Sequence, residues 1–300
     1  MRPLQFGRTT VERIVEVETM WFDPEWLYPN MTDEVLARNA DWLGPRLFDA
    51  TARKIPLSFH SYLIRTPHLN ILVDTCNGNH KVRTPKVAWQ DRLASDAYLR
   101  NLAAAGLRPE DIHIVMCTHL HTDHVGWNTY LKDGRWVPTF PNARYLMARE
   151  EYEYFSRLFA TRPDYPVAHG SFEDSVLPVV QAGLHELVDM HHVVEGHLDD
   201  GVWMEPAPGH TPGHVTIHVK GGGQEAIMSG DIIHHPILLA EPGLQMYADF
   251  DAEMGKRTRM RLIERCADTP TLLLSAHFPA PTAGHVCSCG DAFRFKFLSD

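Results

Sequence analysis

Hydrophobic and polar positions follow one another in blocks along this chain of 300 residues, and the blocks predict strands and helices in succession. Residues 11–17 alternate between apolar and polar positions, as a half-buried strand does. Residues 58–64 and 69–73 are two apolar runs separated by a short segment that contains Pro67, a pattern typical of a hairpin. A second hairpin is predicted across Asp133 and Gly134, which join the short runs at 130–131 and 136–137.

Four longer segments are predicted as helices, at 91–105, 149–159, 175–187 and 252–267. Pro178 is compatible with the third of them because it lies in the first turn. The intervening apolar runs predict strands at 112–117, 144–147, 216–219, 226–228, 272–274 and 293–297. Strands and helices that alternate in this way predict an α/β protein with two half-sheets and helices outside them.

An aromatic-rich extension at about residues 18–50 lies outside this pattern, and residues 1–300 as a whole are predicted to form a single domain. The large apolar residues of the extension are Trp21, Phe22, Trp26, Leu27, Tyr28, Trp42, Leu43 and Phe48. Two interpretations are open. The segment either forms extra core or a dimer contact, or it forms an aromatic wall beside a ligand pocket, since such pockets are mostly apolar.

Composition and charge narrow the classes of partner. The chain has 44% hydrophobic and 22% charged residues, as a soluble globular protein does, and its net charge of −10 argues against a nucleic-acid partner. No run of eighteen apolar residues exists, and the N-terminus lacks the apolar region of a secretory signal, so no membrane partner is expected. The five cysteines, an odd number, predict reduced thiols in the cytoplasm.

The chemistry of the chain is concentrated first in Thr118-His119-Leu120-His121-Thr122-Asp123-His124, directly after the apolar run 112–117. A strand that ends at this turn can place His119 and His121 on one side of a metal site. Asp123 and His124 can then reach a second metal nearby. Imidazole nitrogen and carboxylate oxygen are ligands that suit zinc and its neighbours.

Three later positions add to this group. His210 lies in the turn-rich segment 208–214, Asp231 follows the apolar run 225–228, and His277 follows the buried strand at 272–274. Each is at a strand end or in a turn, where functional residues are held by a rigid sheet. His214 is expected to form a hydrogen bond that supports the ligands from the side away from the metal.

These residues resemble the metallo-β-lactamase superfamily, whose pattern is His-x-His-x-Asp-His followed by a distant His, Asp and His. The resemblance covers nearly the whole chain and implies an αββα sandwich, with two mixed β-sheets flanked by helices. It also implies the metal ligands: His119, His121 and His210 for the first metal, Asp123, His124 and His277 for the second, and Asp231 as the bridge. Asp74 looks like the family's early structural aspartate.

The resemblance further implies a dinuclear-metal hydrolase that cleaves a small-molecule ester or lactone with a hydroxide shared by the two ions. The ions would be zinc, with manganese, iron or cobalt as alternatives. The chain looks most like the methyl parathion hydrolase and quorum-quenching lactonase branch. Asp123, Asp231 and His234 are the expected catalytic residues, and His234 stands where the lactonases have a tyrosine. The alternative for His234 is a packed, structural histidine.

Other functions remain open for the same set of ligands. They are an organophosphate triester hydrolase, a hydrolytic dehalogenase, and a non-catalytic metal-binding member of the superfamily. A homodimer is a further open alternative.

Overall fold

The computed structural model describes residues 2–162 and 164–299. Its strands are β1 (Leu4–Phe6), β2 (Thr9–Phe22), β3 (Ile55–Arg65), β4 (Asn70–Val73), β5 (Ile114–Met116), β6 (Thr129–Lys132), β7 (Arg135–Pro138), β8 (Arg144–Ala148), β9 (His185–Val188), β10 (His192–His197), β11 (Asp200–Pro206), β12 (Val215–Gly221), β13 (Gln224–Met228), β14 (Leu272–Leu274), β15 (Ala283–Cys289) and β16 (Ala292–Phe297). Its α-helices are α1 (Pro24–Leu27), α2 (Asp33–Leu47), α3 (Ala97–Ala104), α4 (Thr122–Val125), α5 (Arg149–Thr161), α6 (Leu177–Gln181), α7 (Ile237–Ala240) and α8 (Ala252–Cys266).

The chain forms two compact units. The N-terminal unit comprises Pro3–Glu16 and Phe59–His192, and the C-terminal unit comprises Val17–Ser58 and the chain from Val193 onwards. One seven-stranded sheet has the order β1-β2-β3-β4-β5-β8-β9, and another has the order β10-β11-β12-β13-β14-β15-β16. Helices accompany both sheets, so the predicted α/β class is confirmed.

Both sheets mix parallel and antiparallel neighbours. In the first sheet β3 and β4 are antiparallel, whereas β4, β5, β8 and β9 follow one another in parallel. In the second sheet β13 and β14 are the parallel pair between antiparallel neighbours. Because β5 and β14 lie inside their sheets, their side chains are apolar, and all of them are buried except Leu272 of β14, which is half-buried.

The core of the N-terminal unit is built from strands and the helices that cover them. Val115 of β5 and Tyr145 of β8 are fully buried, and they belong to one cluster with Leu102 of α3 and Phe155 of α5. At about 25 cal/mol per Å² of apolar surface, burial of such side chains is the main term that holds the ends of the strands in place.

Most of the aromatic extension packs into the C-terminal unit. Strand β2 continues to Phe22, and α2 begins after Thr32, whose hydroxyl accepts a hydrogen bond from Val35 N at 3.3 Å. The ring centroids of Trp26 and Tyr247 are 4.4 Å apart. The buried members of the extension are Phe22, Leu27, Tyr28, Leu43 and Phe48. Trp21, in contrast, is 43% exposed, so the extension is additional core with one exposed tryptophan.

One predicted helix is wrong. The segment 175–187 begins with the last two residues of a π-helical turn, Phe172–Val176. It continues as the short helix α6 and then enters strand β9. Gly183 has φ +71°, which ends the helix, and β9 then pairs in parallel with β8. The helix predicted at 91–105 is shorter than expected and begins at Ala97. Asp91 lies before the helix and accepts a hydrogen bond from Arg83 N at 2.8 Å.

Among the helices of the described residues, none has both the length and the apolar character that a membrane-spanning segment needs.

Candidate metal centre

The first set of predicted ligands lies in the N-terminal unit, where β5 ends. The chain leaves the sheet at Cys117 and turns through His119 and His121 into the short helix α4, which contains Asp123 and His124. The ring centroids of His119 and His124 are 4.0 Å apart, and those of His119 and His121 are 4.7 Å apart. His124 Nε2 lies 3.9 Å from Asp123 Oδ2. The turn, residues 118–125, therefore brings its four predicted ligands together.

Asp74 holds this ligand turn from the end of β4. Its carboxylate accepts hydrogen bonds from Thr118 N and Thr118 Oγ1, both at 2.8 Å, and it lies 2.9 Å from His124 Nδ1. Asp74 is 4% exposed, so these charge-assisted bonds form away from water. A histidine that donates from Nδ1 to a carboxylate offers Nε2 to a metal. The prediction of a structural aspartate at this position agrees with these contacts.

Two further buried carboxylates fix the ligand turn. Glu16 on β2 accepts hydrogen bonds from Trp127 Nε1 at 2.6 Å and from Asn77 N at 2.8 Å, and so ties the end of the turn to the loop after β4. Burial raises the pKa of Glu16, and its hydrogen-bond donors oppose that rise. Glu151 on α5 accepts from Leu120 N at 3.0 Å, between His119 and His121. Neither residue was predicted from the sequence.

The second set of predicted ligands lies in the C-terminal unit and converges on Asp231. This carboxylate follows β13, and three imidazole nitrogens surround it: His210 Nε2 at 3.4 Å, His234 Nε2 at 2.9 Å and His277 Nε2 at 3.0 Å. All four side chains are buried. The backbone N–H of Asp231 donates to His214 Nε2 at 3.0 Å, which is the supporting hydrogen bond expected of His214.

The predicted ligand histidines of this unit are oriented by contacts at Nδ1. His210 Nδ1 lies 2.8 Å from Asp249 Oδ1, and His277 Nδ1 lies 2.9 Å from the carbonyl oxygen of Ser58. Burial raises the pKa of Asp249, while the nearby Arg259 guanidinium lowers it. Asp249 was not predicted, and no sequence pattern around it indicates its role.

His234 and His235 differ in their surroundings. His234 contacts Asp231, and its ring lies parallel to that of His277, with 5.5 Å between centroids and an interplanar angle of 4°. His235 accepts a hydrogen bond from Ile237 N at 3.2 Å through Nδ1, and burial lowers its pKa to about 3. His235 is therefore a neutral, packed histidine, whereas His234 lies beside the predicted ligands.

The residues in these two sets fit divalent metal ions. Four of the predicted ligand histidines have Nδ1 beside a hydroxyl, carboxylate or carbonyl oxygen: His119 beside Thr118, His124 beside Asp74, His210 beside Asp249 and His277 beside Ser58. This arrangement fixes the ring and leaves Nε2 to bind a metal ion, as in most histidine metal sites. Imidazole nitrogens together with the carboxylate oxygens of Asp123 and Asp231 are a donor set typical of zinc.

Replacing Asp74 with alanine is expected to weaken metal binding by about 10- to 100-fold, because the variant loses the carboxylate that orients His124 and the turn at Thr118. Competition with a chelator measures the affinity. Replacement of the exposed Asp189 with alanine removes the same charge from the surface and should leave the affinity unchanged. Equal affinities in the two variants would show that Asp74 has no part in metal binding.

Comparison with known proteins places these features in a family. Residues 56–269 match the model of the metallo-beta-lactamase superfamily. The N-acyl homoserine lactonase AttM of Azorhizobium caulinodans is 28% identical over 177 residues, which are 56% of this chain and 60% of that protein. An N-acyl homoserine lactonase of a Bacillus species is 27% identical over 176 residues, 53% of this chain and 57% of that protein. The chain thus spans less than two thirds of the length of these relatives.

Solved structures share the fold over nearly the whole chain. AidC, a dizinc quorum-quenching lactonase solved with a product, has a TM-score of 0.76 and 19% identity, covering 100% of this chain and 97% of that one. The hydrolase AbOPH of the beta-lactamase superfamily has a TM-score of 0.77 and 21% identity, covering 99% of this chain and 98% of that one. Since the family match covers more than half of the chain and all of the predicted ligands except His277, this chain belongs to the metallo-β-lactamase superfamily.

Proposed function

We propose that the two sets of ligands together hold two divalent metal ions, and that the protein hydrolyses a small-molecule ester or lactone. The proposed ligands are His119, His121 and His210 for one ion, Asp123, His124 and His277 for the other, and Asp231 as the bridge between them. The observation that supports this most strongly is the ring orientation of the histidines. Four of them have Nδ1 beside an oxygen partner, which serves metal binding through Nε2.

The chemistry of such a centre needs no serine or cysteine nucleophile. When bound, divalent ions would lower the pKa of a coordinated water molecule and polarise the carbonyl of the substrate. The protein contributes the carboxylates of Asp123 and Asp231, which would balance the charge of the ions and help to hold them. Asp231 is 3% exposed, so its charge is poorly screened by water and acts strongly on its neighbours.

His234 is proposed as a hydrogen-bond donor to the reacting oxygen. Its Nε2 lies 2.9 Å from Asp231 Oδ2, next to the atom that would bridge the ions. A donor at this position can stabilise the negative charge that develops on the carbonyl oxygen as the carbonyl is attacked. The ring of His277 lies parallel to that of His234, with 5.5 Å between their centroids.

Zinc is the proposed metal, because nitrogen from imidazole and oxygen from carboxylate in a buried site suit it well. Manganese, iron and cobalt accept the same ligand types and remain the alternatives. Metal analysis of protein purified without chelator identifies the ion.

The proposed substrate is a small molecule with an ester or lactone bond. The relatives are named N-acyl homoserine lactonases, which supports an ester or lactone as the bond that is cleaved. The net charge of −10 disfavours nucleic acid as a partner. All five cysteines are free thiols, which is consistent with the reducing cytoplasm. A homodimer remains a prediction.

The test uses zinc-loaded protein and a panel with an aryl ester, a δ-lactone, an aryl phosphotriester and an aryl halide. We expect turnover of the ester or the lactone, its loss on chelation and its return on addition of Zn²⁺. A phosphotriester as the best substrate would favour an organophosphate hydrolase, and halide release would favour a dehalogenase. Bound metal without any turnover would favour the non-catalytic alternative and contradict the proposal.

A further inference from the structure

Helix α8 has a charged residue in the middle of its buried face. The other buried residues of this face recur at helical spacing and are small or apolar: Gly255, Thr258, Leu262, Ile263 and Cys266. Arg259 lies between them and is only 1% exposed. A guanidinium is almost never buried in full unless its charge and its N–H donors are compensated. Its partners in the C-terminal unit are therefore informative.

The guanidinium of Arg259 joins two separate segments of this unit. Its Nε donates a hydrogen bond to the carbonyl oxygen of Ile232 at 2.8 Å, directly after the proposed bridging ligand Asp231. Its Nη1 donates to the carbonyl oxygens of Pro242 at 2.9 Å and Leu244 at 2.8 Å, in the loop after α7. One buried side chain thus fixes the segment of Asp231 relative to this loop.

The loop after α7 also contains the carboxylate that orients His210. Asp249 Oδ1 lies 2.8 Å from His210 Nδ1, and Asp249 Oδ2 accepts a hydrogen bond from Met246 N at 3.1 Å. Arg259 Nη2 lies 4.0 Å from the same Oδ2, so the cation also balances the charge of this buried carboxylate. Arg259 is therefore connected to His210 through Asp249, and to Asp231 through the carbonyl that follows it.

The backbone of α8 is held against the segment of His210 by contacts of its own. Gly209 has φ +138°, and a Cβ at this position would lie 2.3 Å from Gly255 N, so the two backbones approach closely. Asp251 N, at the start of α8, donates to the carbonyl oxygen of Gly209 at 2.9 Å. Because these contacts do not involve Arg259, α8 should stay in place when the guanidinium is removed.

We propose that Arg259 is a positioning residue, which sets the spacing of His210 and Asp231 and thereby the affinity of the centre for metal. This inference rests on the proposed metal binding. His210 Nε2 and Asp231 Oδ2 are 3.4 Å apart. Two ligand atoms that are each about 2.0–2.1 Å from a tetrahedral zinc ion are about 3.3 Å apart, so the observed spacing suits one shared ion. A planar guanidinium, whose donors point in fixed directions, can maintain such a spacing between two segments.

The experiment measures the zinc affinity of the metal-free protein by competition with a chelator, and the visible absorption of the protein loaded with Co²⁺. We expect Arg259→Met, which keeps an apolar stem and removes the charge and the donors, to lower the zinc affinity by about 10- to 100-fold. Arg259→Lys keeps the charge without the planar group, and it should lower the affinity less. In both variants the Co²⁺ absorption should change, because the ligands are displaced while the fold is retained.

Arg265→Met is the matched control on the same helix. Arg265 is 42% exposed and donates to the carboxylates of Glu205 at 2.7 Å and Glu225 at 3.0 Å. The zinc affinity and the Co²⁺ absorption of this variant should equal those of the wild type. Circular dichroism of the metal-free proteins identifies the variants that are folded, and only these are compared.

Zinc affinity is measured without a substrate, so it separates this inference from the proposed hydrolysis. Zinc binding without turnover of any ester or lactone would contradict the hydrolysis, whereas a lower zinc affinity in the Arg259 variants would still support the positioning role. Wild-type zinc affinity together with wild-type Co²⁺ absorption in either folded Arg259 variant would overturn the inference.

Discussion

Replacing Asp231 with alanine is expected to abolish hydrolysis and to release bound metal. The carboxylate lies within 3.4 Å of three buried imidazole nitrogens and is the proposed bridge between two cations. Removing it takes away a shared ligand and a negative charge in a region of low dielectric. The loss of kcat/KM should therefore exceed the roughly 100-fold effect that is typical for loss of an outer partner of a metal ligand. Metal content and turnover are measured on the same sample.

Asp199→Ala is the control for Asp231→Ala, because it removes the same charge from a side chain that is 97% exposed. This variant should keep its metal and its turnover. If Asp231→Ala still bound two ions and kept most of its activity, the role of Asp231 as a bridge would be wrong. Circular dichroism separates a loss of ligand from a loss of fold.

Replacing His234 with alanine is expected to reduce turnover of the best ester or lactone by roughly 10²- to 10³-fold, with metal content unchanged. The ring lies beside Asp231 and parallel to His277, so its loss removes a donor next to the proposed bridge. His234→Tyr should restore part of the lactone turnover, because the phenol offers a donor at the position where the lactonases have tyrosine. Steady-state kinetics on both variants measure the loss of turnover and its partial recovery.

His235→Ala tests whether the effect of His234 is specific. His235 is packed and neutral, and its substitution should change stability more than turnover per folded molecule. Wild-type kinetics in His234→Ala would assign His234 to packing and remove its proposed role.

Local patterns in the sequence indicated the proposed ligands, but not the residues that orient them. His119 to His124 are adjacent in sequence, and His210, Asp231 and His277 follow recognisable turns or strands. Asp249 orients His210 from 39 residues away, and Glu16 contacts Asn77 across 61 residues. Such pairs form only when strands and loops that are distant in sequence pack together. The separation explains why no local pattern indicates them.

The secondary-structure predictions were right where the local pattern was sufficient and wrong where pairing with a distant strand decided the structure. The hairpin across Asp133-Gly134 was predicted from its own turn residues and is confirmed, because its two strands need no other partner to define it. The segment 184–188 has apolar residues that suit either a helix or a strand. Its pairing with β8 decides for a strand, and that pairing is not visible in the local pattern.

The most direct test of the account is the number of metal ions per chain, measured by mass spectrometry on protein purified without chelator, together with turnover of the same sample. The account predicts two divalent ions per chain, and it predicts that removal of either abolishes most of the turnover. A reproducible single ion per chain with full turnover would contradict it.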